Sequence, residues 1–90
     1  PEDPDVLLQL GVLDAKRGRF DRAIRYFEDA AIVDPSFAAI AWYEAAGVAL
    51  DRGDLEAATA YLERASVASG SVAARERAAE LLAALRPAPP

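Results

Sequence analysis

The sequence predicts an all-α fold of antiparallel helix-turn-helix repeats, five helices in all, and three observations carry the prediction. First, a turn occurs twice. Arg17-Gly18-Arg19-Phe20-Asp21-Arg22-Ala23 reappears as Arg52-Gly53-Asp54-Leu55-Glu56-Ala57-Ala58, with Gly18 falling on Gly53 at an offset of 35 residues. Second, the duplication extends beyond the turn, since Ala23, Tyr26, Glu28 and Ala30 fall on Ala58, Tyr61, Glu63 and Ala65 at the same offset. A period in this range marks supersecondary units that stack because a single unit cannot bury its apolar face. Third, each copy has the grammar of a helical hairpin. An apolar helical pattern runs up to the glycine, a residue that ends a helix without a Cβ penalty, and an acidic residue follows in the first turn of the next helix.

The elements follow in order. Pro1-Glu2 reads as a loose lead, and residues 1–3 precede the first repeat. Asp3 is placed to cap a helix whose first residue is Pro4, a position where the missing N–H costs no hydrogen bond, with Asp5 in the favourable first turn. This first helix runs to about Arg17. It carries two apolar stripes, Leu7, Leu10 and Gly11 on one and Leu8, Val12 and Ala15 on the other, so it has more than one neighbour.

The second helix spans about Asp21 to Asp34. Ala23, Ile24, Phe27, Ala30 and Ala31 point inward, Arg22, Arg25, Glu28 and Asp29 are solvated, and Asp21 pairs with Arg25 at i,i+4. Phe20, like Leu55 in the second copy, closes the corner as an apolar plug. Asp34-Pro35-Ser36 then breaks the chain direction.

The third helix, about Ser36 to Arg52, is the central one. Trp42, Ala45, Ala46 and Ala49 face the second and fourth helices, while Ile40, Tyr43, Gly47 and Leu50 form another face. The fourth, about Asp54 to Ser69, packs Ala58, Leu62 and Ala65 inward and leaves Tyr61 partly exposed. After Ser69-Gly70-Ser71 a fifth helix, about Val72 to Leu85, sets Ala74, Ala78, Leu81, Leu82 and Leu85 against Arg75, Arg77 and Glu80. The Pro-rich tail, residues 87–90, reads as an extended linker.

These residues resemble the tetratricopeptide repeat, whose pattern is W-x2-L-G-x2-Y, then A-x3-F, then A, then P. The first copy supplies Leu7, Leu10, Gly11, Ala23, Phe27, Ala30 and Pro35, and the second Trp42, Ala45, Ala46, Ala58, Leu62, Ala65 and Gly70. Asp14 and Ala49 stand where an aromatic is expected, Gly70 stands for the proline, and the unit is one residue longer than the usual thirty-four, the extra residue lying near Phe37-Ala38. The resemblance covers roughly Pro4 to Gly70. It implies a right-handed α-solenoid with repeats at 4–38 and 39–70, and a solvating cap at 71–86.

Composition narrows the chemistry. The chain of 90 residues is 53% apolar and contains neither Cys nor His, which removes disulfides, thiol nucleophiles, Cys/His zinc sites and histidine bases. A formal charge of −5 with scattered Lys and Arg argues against nucleic acid as a partner. No uncharged apolar stretch is long enough to insert in a membrane. Charged pairs such as Asp14 with Lys16, or the two carboxylates Glu44 and Asp51, read as solvated or ion-paired surface, and no glycine loop of phosphate-binding type is present. The reading is therefore non-enzymatic, without cofactor or metal. A start at Pro1 and an end at Pro90 read as a piece of something longer. A cytoplasmic location is the default, with a periplasmic or membrane-associated one through a further segment left open.

In the resembled family the first helices of successive repeats line a concave surface that binds an extended peptide or a helix. Carried over by residue, that surface comprises Asp5, Leu8, Val12, Ala15 and Lys16 with Ile40, Tyr43, Gly47 and Leu50, and Tyr43 stands at an apolar centre. Members that clamp a carboxylate use Lys and Asn where Leu8, Val12 and Glu44 stand, so such a clamp is not expected. The expected partner is another protein's amphipathic helix or hydrophobic segment. The alternatives are a structural element that docks on neighbouring repeats or on a second copy, as a homo-oligomer, and the regulatory arm of a larger enzyme.

Overall fold

The computed structural model describes residues 3–86, and within them each helix end has a local chemical cause. Pro1-Glu2 and the 87–90 tail lie outside the described residues. The helices are α1 (Pro4–Lys16), α2 (Phe20–Val33), α3 (Ala38–Asp51), α4 (Leu55–Val67) and α5 (Val72–Leu85), with a short 3-10 turn at Pro35–Phe37. No strand occurs among the described residues.

Asp3 caps α1 as its sequence position predicts, its carboxylate accepting the Asp5 N–H at 2.8 Å with Pro4 at the first helical position. Both repeat turns then close identically. Gly18 and Gly53 each have φ +75°, a left-handed conformation that costs glycine little. The following Arg19 and Asp54 N–H groups reach back to the carbonyls of Asp14 and Ala49 at 2.8 and 2.9 Å, again 35 residues apart. Asp54 also caps α4 through the Ala57 N–H at 3.0 Å, whereas Arg19 gives α2 no side-chain cap.

Two helix boundaries differ from the sequence expectation. α3 starts at Ala38 because Asp34 takes the Ser36 N–H (3.0 Å) and Ser36 Oγ (2.8 Å), which winds residues Pro35–Phe37 into the 3-10 turn. α4 stops at Val67 because Ala68 turns extended and the Ser69 carbonyl accepts the Ala39 N–H at 3.0 Å. Gly70, with φ +108°, lies so close to Ser36 that a Cβ would overlap the Ser36 carbonyl oxygen. That contact excludes the proline expected at this position. Arg75 completes the stitch by donating to the Ala68 and Gly70 carbonyls at 3.2 and 3.0 Å, and Ser71 caps α5.

Each helix packs on the next, and α3 also packs on α5 and, less extensively, on α1. One core cluster joins Leu7, Ala23, Phe27, Ala30, Ala41, Ala45 and Val48, and a second joins Ala46, Leu62, Ala65, Ala78 and Leu82. Trp42 and Tyr61 border both, with stacked rings 5.8 Å apart, and Arg64 lies 4.9 Å over the Trp42 ring. Stacking of this kind adds about 0.5–1.5 kcal/mol to the area the rings bury.

Three side chains depart from expectation. Phe20 packs on the first cluster, but the shorter Leu55 does not reach the core from the same position and stays 59% exposed, so only the first corner has its plug. Asp21 pairs with Arg52 at 2.9 Å, across the two copies of the turn, instead of with Arg25. Asp14 is buried, facing Arg22 (3.4 Å) and Arg19 (3.8 Å) and not Lys16, and its Oδ2 has no hydrogen bond. The aromatic expected at this position is replaced by a carboxylate held by the start of α2.

Two glycines in helix interiors give opposite expectations for one substitution. A Cβ at Gly11 would lie 2.5 Å from the fully buried Phe27 ring, while one at Gly47 would meet nothing within 4 Å. Gly11→Ala is expected to destabilise by a net of about 1–2 kcal/mol, since overpacking outweighs the gain in helix propensity. Gly47→Ala is expected to stabilise by about 0.5–1 kcal/mol. Urea denaturation followed by circular dichroism checks both.

Candidate functional site

α1 and α3 are the first helices of their hairpins, so they run parallel. Because they touch each other only lightly, a groove opens between them. Its upper section, about 430 Å³, is lined by Leu8, Gln9, Val12, Leu13 and Lys16 of α1 and by Ile40 and Glu44 of α3. A lower section of about 270 Å³ is lined by Val12, Ala15, Lys16, Phe27, Glu44, Gly47, Val48 and Asp51. Val12, Lys16 and Glu44 belong to both, which makes the groove continuous.

Six of the nine sequence-predicted residues come together here: Leu8, Val12, Ala15, Lys16, Ile40 and Gly47. Asp5, Tyr43 and Leu50 do not line it. Asp5 is exposed in the first turn of α1, and Leu50 is half-buried. Tyr43, placed at the centre by the sequence reading, instead packs against the core cluster that contains Leu62, Ala78 and Leu82. Gln9, Leu13, Glu44, Val48 and Asp51 were missed, as was Phe27 of α2. On α1 and α3 they extend the predicted stripe to one side, so the groove's centre is turned from the expected azimuth by less than the 100° of one residue. The available signal was the 35-residue offset itself, which places Gln9 on Glu44 and Lys16 on Asp51.

The groove's walls are unlike. Leu8, Val12, Leu13 and Ile40 form an apolar strip, with Lys16 on one side and Glu44 on the other. Glu44 is half-buried, and burial pushes its carboxyl above its ordinary value of 4.5. It makes no ion pair or side-chain hydrogen bond among the described residues, Lys16 included. Hollows elsewhere, by Arg22, Arg25, Tyr26 and Asp29 and by Asp54, Glu56, Ala57 and Ala60, lack such an apolar strip.

α1 also presents apolar residues away from the groove floor. Val6 and Leu10 are 49% and 37% exposed. Their equivalents at the repeat offset are Ala41 and Ala45, which are buried in the cluster shared with α2. The outer edge of α1 thus has the pattern of a helix–helix interface without a partner helix in this structure.

No helix among the described residues is long and apolar enough to cross a membrane. Comparison with known families matches the tetratricopeptide repeat over residues 8–74, a span that includes both copies of the turn and the groove from Leu8 to Asp51. Comparisons with curated proteins and with solved structures gave no match. With the match over most of its length and five helices packed as two hairpins and a cap, the chain belongs to the tetratricopeptide repeat family, whose repeats generally mediate protein–protein interaction and are typically non-catalytic.

Proposed function

We propose that the chain is a non-catalytic interaction module, an adaptor or assembly scaffold, that receives a partner's amphipathic helix or hydrophobic segment in the groove between α1 and α3. The carrying observation is the continuous apolar strip of Leu8, Val12, Leu13 and Ile40, open to solvent between two parallel helices. Apolar area removed from water there contributes about 25 cal/mol per Å² before association costs are met. A helix laid in a groove is one of the recurring ways proteins recognise peptides.

Ile40 gives the cleanest test. It lines the groove but packs on neither core cluster, whereas Tyr43 belongs to the core and its replacement would confound binding with folding. Helical peptides selected on the wild-type chain are expected to lose about tenfold or more in affinity to Ile40→Glu, with the urea midpoint nearly unchanged. Undiminished binding, measured by titration calorimetry, would remove the groove assignment.

The exposed edge of α1 favours a second reading, a structural element that docks through Val6 and Leu10 on a second copy. On that reading, light scattering gives a mass that rises with concentration, and Leu10→Lys returns it to the monomer. A monomer at every concentration rejects self-docking.

Glu44 adds a pH signature. Its folded-state value is raised, so the folded chain holds this proton more tightly than the unfolded chain does. Ionised Glu44 therefore costs stability. The cost is absent below the unfolded value, grows as pH rises from the unfolded to the folded value and is complete above the latter. Glu44→Gln is expected to raise the denaturation midpoint at pH 7 and to leave it unchanged below about pH 4.

A further inference from the structure

We propose that Glu44 and Gly47 form a subsite for one long cationic side chain, Lys or Arg, of a partner helix seated in the groove. The inference rests on the groove reading and specifies the occupant's chemistry.

Three observations converge on these two residues. Glu44 and Gly47 are three apart on α3 and therefore point to the same face. Gly47 is exposed, with open space where a Cβ would stand, so the wall is notched beside the carboxylate. The notch is bordered by Val12, Phe27 and Val48, which are apolar, and Glu44 stands at the junction of the two groove sections.

A shallow apolar channel that ends at a carboxylate matches a side chain with an aliphatic stem and a charged head. Lys and Arg lay their methylenes along apolar surface and carry the charge at the tip. A short polar side chain would leave the notch empty, and an apolar one would cover the carboxylate without a donor, which costs free energy. A cation meets both conditions and makes a charge-assisted hydrogen bond. The groove's own cation does not serve, because Lys16 makes no ion pair with Glu44. Around this section the carboxylates of Glu44 and Asp51 outnumber the single cation Lys16, so the local charge is negative. Both subsite residues are also costly where they stand, one as a glycine inside a helix and the other as a half-buried carboxylate.

The test is selection from a displayed library of amphipathic helical peptides, run on the wild-type chain and on Glu44→Gln. The expected result is that wild-type binders sensitive to Ile40→Glu share a Lys or Arg at one fixed position beside the apolar stripe. Replacing it by norleucine should weaken binding about tenfold on the wild type and less than about threefold on Glu44→Gln, a coupling that a double-mutant cycle reads directly. Gly47→Leu, whose Cβ meets nothing within 4 Å and which favours the helix, should fold about as stably yet fill the notch and lose the same preference. Groove binders without a shared cation, or with the same preference on Glu44→Gln, overturn the subsite and leave the groove reading standing. Absence of any binder sensitive to Ile40→Glu overturns the groove reading itself, and the subsite with it.

Discussion

Each hairpin is built around one large side chain that water cannot reach. Phe27 and Leu62 are the largest fully buried residues, and they stand at the repeat offset from each other. Around them nearly everything is small: Ala23, Ala30, Ala41 and Ala45 in the first cluster, Ala46, Ala65 and Ala78 in the second. Small residues let helix backbones approach, and close approach brings the large ring into contact on several sides at once. The ring of Phe27 occupies the space that Gly11 leaves open. Phe27 lies beneath the lower section of the groove, so the site is shaped by the residue that holds the first hairpin together.

The two units are joined by contacts of different kinds. The stacked Trp42 and Tyr61 touch both core clusters, so the clusters share a boundary. Arg52 reaches Asp21 from turn to turn at the surface, where such a pair contributes little. At the opposite end the backbone of Ser69 and Gly70 rests on Ser36 and Ala39. This last contact accounts for the glycine in place of the usual proline, because the Ser36 carbonyl leaves no room for a side chain and the backbone there has positive φ.

The sequence made legible whatever depends on spacing alone. The offset of the turn glycines, the inward set Ala58, Leu62 and Ala65, the Asp3 cap and the fifth helix all follow from local pattern, and the structure places them so. The candidate groove lies between the two helices that the sequence reading named, but its lining is shifted, since Gln9, Leu13 and Glu44 join it and Asp5, Tyr43 and Leu50 do not. A hydrophobic stripe defines an azimuth only when one side is buried, and α1 and α3 each have two apolar sides. Tyr43 was assigned to the groove for that reason, and the packing of α5 on α3 draws it to the other side. Asp14 was illegible for a different reason. Nothing near it in sequence shows that α2 begins beside it with Arg19 and Arg22.

The duplication separates residues that serve packing from residues that do not. Core pairs keep their character across the offset: Ala23 with Ala58, Phe27 with Leu62, Ala30 with Ala65, Gly18 with Gly53. Three of the four groove pairs change it, Gln9 with Glu44, Val12 with Gly47 and Lys16 with Asp51, while Leu13 with Val48 stays apolar. The stacking is carried by the buried apolar pairs, so the difference in charge at equivalent groove positions has no cause in the stacking itself. Its physical effect is a groove with an apolar wall that ends in a cation on α1 and a notched wall with two carboxylates on α3. A groove with identical walls would present the same chemistry to a helix lying in either direction. Unlike walls remove that degeneracy, because reversing the helix brings its charges against the wrong side, and like charges brought together are penalised.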